Sequence, residues 1–311
     1  MKFKENELRI IFYSTFLIII IETIFFLISP QLFTLIGFLP LLIIGFVVKL
    51  RLLFLNLILS NFLLVFANFG TSILSSKSII NVSFMLVFVF FSSLILLFFV
   101  FLKLSEEKQI SFGSSLSNYN LVCNLLLLSF IFFFFSRLDL SEIQLRIIDS
   151  INTIFNDSNL NRNTQMEGLV KNVVSILPSI NFLIILISLS LNCLISQIII
   201  KKLNLPEEYQ LNIHDSIVPK SFLSFFTLCF LSLVILPPSI HMYVNNVLIL
   251  SSFCFLTDGL IFVTNYLKKF EINKYIKFIF IFLLFIFLGY VLFLLIFFLG
   301  YYRSCKKIFL K

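Results

Sequence analysis

The sequence predicts an all-α protein, a polytopic bundle of transmembrane helices for which lipid is the main solvent. About nine apolar stretches are long enough to cross a bilayer, and Glu22 and Asp258 are the only carboxylates inside them. Every Lys and Arg falls in a connector, at a span end or in a tail. The hydrophobic fraction is 60%, the mean hydropathy is +1.10 and charged residues make up only 12%. A soluble core has no use for so many uninterrupted apolar segments. With 311 residues, nearly all of them in spans, the chain has room for a single membrane domain over 1–311 and for no sizeable soluble one.

In chain order the expected spans are 9–29, 32–48, 52–69, 79–102, 118–136, 174–200, 220–236, 246–267 and 278–301. The first follows Lys2, Lys4 and Arg9; its apolar run, Ile10 to Ile28, is long for a cleaved leader and lacks a small-residue cleavage site. It reads as a retained helix. The segments 32–48, 52–69 and 220–236 lie near the lower limit for crossing, which is compatible with tilt or re-entry. If one of them does not cross, eight spans remain.

Basic residues orient the bundle. A cytoplasmic N-terminus puts Lys49, Arg51, Lys103, Lys108, Lys201, Lys202, Lys268, Lys269, Lys274 and Lys277 on the inner side. The outer side receives Lys77, the Pro237–Pro238 turn and the 137–171 connector, as the positive-inside rule requires. Nine spans put the basic tail, Arg303 to Lys311, outside, against the same rule. The net charge of +8 is explained by span ends meeting anionic headgroups, not by a nucleic-acid partner. Phe 44 with Trp 0 reads as lipid-facing filler under an AT-rich codon bias.

The 137–171 connector alone shows soluble-type patterning. Ile143, Ile147, Ile151 and Ile154 form a stripe, with Glu142, Arg146 and Asp149 off it. After an Asn-rich break, Met166, Leu169, Val170 and Val173 repeat the pattern. Two amphipathic helices on the outer membrane face are expected; a lid over a ligand cavity is the sharper alternative.

Few residues are placed to do chemistry. A mid-span acid costs roughly 2.5–3.5 kcal/mol on insertion scales, so Glu22 and Asp258 need a reason to be there. No Lys or Arg is expected at their depth. At about 1.5 Å per residue from the cytoplasmic ends, Glu22 lies near 20 Å, Asp258 near 15 Å, Asn61 near 14 Å and Asn192 near 12 Å. Four polar side chains from four spans therefore fall in one layer. They form either a polar ligand pocket or interhelical hydrogen bonds that hold the bundle. His214 and His241 fall on opposite faces, and Cys123, Cys193, Cys229, Cys254 and Cys305 are scattered over separate spans. Neither set has metal or disulfide spacing, so no metal and no cofactor are expected. The chain has no H-E-x-x-H, no G-x-S-x-G and no Gly-rich phosphate loop, which argues against an enzyme. Pro178, Pro219 and Pro237–Pro238 read as span boundaries.

Three stretches carry a family likeness. Leu177 to Pro206 reads LPSINFLIILISLSLNCLISQIIIKKLNLP, Phe255 to Lys269 reads FLTDGLIFVTNYLKK, and Leu292 to Phe309 reads LFLLIFFLGYYRSCKKIF. In this order and spacing the chain resembles the bacterial YybS-like membrane proteins. That family is regarded as distantly related to the substrate-binding S components of energy-coupling-factor vitamin transporters. The likeness covers residues 9–309 by layout and is specific only within 177–309. Where the family often has Gln before the Gly-Leu step, this chain has Asp258. The resemblance implies a helical bundle in a bacterial cytoplasmic membrane, with an S-component-like cavity open to the outer side. It supplies no ligand or activity.

Two functions follow as expectations. One is a small-ligand-binding or transport-related bundle. The other is a structural or accessory protein that docks other membrane proteins without a ligand.

Overall fold

A computed structural model describes residues 9, 13, 16, 39, 42–43, 46, 54–55, 58–59, 93–94, 97–102, 111–133, 164–203, 218–269, 279 and 289–309. They include five long helices: α1, Phe112–Phe133; α2, Thr164–Lys202; α3, Lys220–Ile235; α4, Pro238–Lys268; and α5, Tyr290–Phe309. The described residues contain no strand, in agreement with the all-α expectation. Phe112–Phe133, Val170–Lys202 and Ile240–Leu267 are long and apolar enough to cross a membrane. The 16 residues of α3 reach only about 24 Å at the helical rise, short of the roughly 30 Å hydrocarbon core. The expected spans 118–136, 174–200, 220–236 and 246–267 each coincide with one of α1 to α4. Those before residue 93 fall almost wholly outside the described residues.

Local chemistry sets the helix ends. Ser111 caps α1: the Ser115 N–H donates to its carbonyl at 3.2 Å and the Ser114 N–H to its Oγ at 3.4 Å. Leu236 is held extended (ψ 153°) by the proline that follows, which ends α3. Pro237 then caps α4 and Pro238 starts it, where the missing N–H costs nothing. His241, in the first turn of α4, places Nε2 3.0 Å from the Leu236 carbonyl at the end of α3. A backbone acceptor left open by the helix end is thereby met.

Two expectations change. Pro178 does not open a span. It lies inside α2, which runs unbroken from Thr164, so residues 165–173 continue into the span instead of forming a separate helix. Within the last expected span, 278–301, the described helix starts only at Tyr290, directly after Gly289, whose φ of +47° suits glycine. The helix that follows carries the basic tail on to Phe309.

The chain divides into two compact units, Met1–Tyr119 with Ile185–Asp215, and Asn120–Ile184 with Ser216–Lys311. In the first, Tyr119 is fully buried, donates its hydroxyl to the Leu94 carbonyl at 3.1 Å and meets Phe98 edge-on at 5.2 Å. Leu189, Cys193, Ser196 and Ile200 of α2 are buried at helical spacing, while Ile187, Leu191, Leu194 and Ile198 are exposed. In the second unit α4 is the hub, and α1, α2, α3 and α5 each meet it through named side chains.

Candidate functional site

The second unit's chemistry lies along one stripe of α4. Asn246, Leu250, Ser251, Cys254, Phe255 and Asp258 are all buried, at the four-residue spacing that keeps side chains on one helix face. Each step meets a different neighbour.

Asn246 serves the proline in α2. Its Oδ1 accepts the Ser179 N–H at 2.9 Å, and its Nδ2 donates to the Ser175 carbonyl at 2.8 Å. Those two backbone groups are the pair that an ideal helix joins by an i→i−4 bond. Pro178 sits between them, and a proline crowds the preceding turn. One side-chain amide therefore satisfies both sides of the strained turn. Its second N–H goes to the Met242 carbonyl at 2.8 Å. In lipid, where water cannot take over freed backbone groups, this kind of help from a neighbouring helix is what lets a proline stay inside a span.

One turn further on, Asn120 of α1 donates to the Leu250 carbonyl at 2.9 Å, and Asn124 donates to Ser251 Oγ at 3.0 Å. Asn124 also lies 2.7 Å from Asn120 Oδ1.

At the third level Asp258, with no exposed surface, accepts from Arg303 Nη1 at 2.9 Å and from Ser304 Oγ at 3.3 Å, both on α5. The Arg303 guanidinium, 24% exposed, also lies 5.6 Å from the Phe262 ring centroid, a second stabilising contact for the cation. This corrects the expectation that no cation reaches the depth of Asp258. Sequence counting placed Arg303 in a tail beyond the last span, whereas α5 carries it against α4.

Close approach of the two helices makes the pairing geometrically possible. A Cβ on Gly259 would run into the backbone carbonyl of Ile296, and one on Gly300 into that of Phe255. Both positions need glycine because the backbones touch there. Around the crossing, Phe255 packs on Phe226 of α3 at 4.9 Å and on Tyr301 of α5 at 5.4 Å.

Beside this crossing lies a cavity of about 250 Å³ between α3 and α5, lined by Phe226, Thr227, Phe230, Phe297, Phe298 and Tyr301. Phe230 and Phe298 are 58% and 60% exposed, so the groove has an open aromatic rim. Its polar element is the contact between Thr227 Oγ1 and Tyr301 Oη at 3.3 Å.

Of the four residues expected to share a polar layer, Asp258 is sealed inside its ion pair and does not line the groove. Asn192 belongs to the other unit and donates to the Ser188 carbonyl one turn back in its own helix, at 2.8 Å. Glu22 and Asn61 lie outside the described residues, as do residues 137–155 with their isoleucine stripe. Sequence reasoning missed Asn246, Asn120, Asn124, Ser251 and Arg303. The available signal was the repeat of small and polar residues along 246–258, which hydropathy averaging hides.

A family model described as a predicted membrane protein (DUF2232) matches residues 10–302 of the chain. No curated protein and no solved structure matches it.

Proposed function

We propose that the chain, which belongs to the DUF2232 family of predicted membrane proteins, is a small-ligand-binding, transport-related bundle that works without catalysis. Its ligand site is the aromatic groove between α3 and α5. In this reading the full chain forms about eight or nine spans in a bacterial cytoplasmic membrane, with the N-terminus inside. The YybS-like resemblance and its S-component relatives belong to the same proposal.

The observation that carries it is the groove: concave, aromatic and open at its rim, with a hydroxyl pair set into an apolar wall. Recognition sites combine such a wall with a few placed polar groups. Asp258 supports the reading by elimination. An acid that already has a guanidinium and a hydroxyl as partners is a packing device, so the ligand is sought elsewhere. The same sealed acid favours a second reading, an accessory protein that docks other membrane proteins without a ligand.

Solvent extraction of the full-length protein purified in mild detergent, followed by mass spectrometry, separates the two. Wild type is expected to carry a stoichiometric lipophilic compound. Thr227→Phe, which fills the groove, is expected to lose it at an unchanged elution volume. Equal amounts in both proteins, or none in wild type, would favour the accessory reading.

A further inference from the structure

We infer that the groove between α3 and α5 takes a lipophilic molecule bearing a neutral hydrogen-bond donor, of the long-chain alcohol kind, whose hydroxyl donates to Tyr301 Oη. The inference rests on the ligand-binding reading above and adds the chemistry of the ligand.

The argument starts from proton counting at the hydroxyl pair. Thr227 Oγ1 donates to the Leu223 carbonyl, one turn back in α3, at 2.9 Å. A threonine has a single hydroxyl proton, and this bond commits it. In the 3.3 Å contact between Thr227 Oγ1 and Tyr301 Oη, the tyrosine is therefore the donor. A phenol whose proton is turned towards Thr227 offers lone pairs on its remaining side. The polar feature presented to the groove is thus an acceptor, and it calls for a donor. At 3.3 Å the contact is also longer than a well-made O–H···O bond, which leaves Tyr301 room to engage a third oxygen.

The rest of the wall narrows the class further. Phe226, Phe230, Phe297 and Phe298 call for an apolar body. Among the described residues no carboxylate lines the groove, so an ammonium donor would enter desolvated and without a counter-charge from them, at high cost. A neutral hydroxyl carries no such penalty. Size decides between enclosure and partial burial. About 250 Å³ falls below the roughly 300–1,000 Å³ of sites that enclose a drug-sized ligand. The groove therefore holds one segment of a longer molecule, and the remainder leaves over the exposed rim into lipid.

The chain has no tryptophan, so an introduced one is a unique emitter. Leu294→Trp places it one turn before Phe297, at a position 51% exposed. Leu228→Trp places a control on the far face of α3, at a position 66% exposed. Full-length protein in detergent is titrated with 11-bromoundecanol and with its methyl ether, which keeps the chain and the quenching bromine but has no donor. With the Leu294→Trp reporter, the alcohol is expected to saturate at an about 2- to 10-fold lower concentration than the ether, the span of one neutral hydrogen bond. Adding Tyr301→Phe should bring the two probes together. Equal half-saturation before that change, or an alcohol preference that survives it, would overturn the donor assignment and leave the groove as a ligand site. Quenching that never saturates and matches the Leu228→Trp control would sink the ligand-binding reading as well.

Discussion

Asn246 shows how much one side chain can hold in a membrane. It bonds three backbone groups, two of them on the helix that contains Pro178. Leucine has a similar volume and no polar atoms. Asn246→Leu should therefore leave Ser179 N–H and Ser175 C=O to repair the turn by themselves beside the proline, at about 1–3 kcal/mol for each group that fails. A thermal melt in detergent should show a drop of several degrees. Replacing Pro178 by Ala in the same protein should recover most of it, because the α2 turn can then close unaided. If Asn246→Leu melts at the wild-type temperature, the amide is not supporting the turn. Little of this was legible in the sequence. Pro178 was visible, but read as a boundary because prolines usually mark one. The amide that serves its turn, Asn246, lies 67 residues beyond Ser179 in sequence, and no local pattern joins the two. Asp258 was half legible: its cost in lipid marked it as needing a partner, and Arg303, 45 residues further on, looked like tail.

At the scale of elements, the α4–α5 crossing depends on two glycines that touch backbone. Gly259→Ala and Gly300→Ala should each force the helices apart, costing about 1–3 kcal/mol or more because the atoms that must give way are carbonyls. Gly168, in the first turns of α2, is the control: nothing lies within 4 Å of a Cβ built on it. Gly168→Ala should be neutral, or stabilising by up to about 1 kcal/mol from helix propensity. Melting temperatures of the three variants test this, and similar values for all three would mean the crossing is looser than described. The helices themselves were the most legible feature, since hydropathy and length suffice to find α1 to α4. The start of α5 right after Gly289 was hidden because the apolar run passes through that position without a change in composition. A helix boundary can fall inside such a run where one residue takes a left-handed backbone, and hydropathy does not report φ.

For the whole molecule, the positive-inside pattern predicts that reporters fused after Lys108 and Lys202 read cytoplasmic, while one within 156–164 reads external. An internal reading at 156–164 would reverse every loop assignment that depends on it. What holds the second unit together is the buried stripe of α4, which meets α2 through Asn246, α1 through Leu250 and Ser251, α3 through Phe255 and α5 through Asp258. A sealed, structural acid at the end of that stripe leaves ligand binding to the groove between α3 and α5. A double-mutant cycle tests it most directly. The melting of wild type, Asp258→Asn, Arg303→Gln and the double variant is followed in detergent. Arg303→Gln should destabilise strongly, by about 3–5 kcal/mol, because it strands the fully buried Asp258 charge, and Asp258→Asn should cost less, because Arg303 is 24% exposed. The double variant should recover much of that loss, giving a coupling well above the few tenths of a kcal/mol expected of independent sites. Additive losses, or an Asp258→Asn protein as stable as wild type, would contradict the sealed pair and return Asp258 to the list of ligand-facing residues.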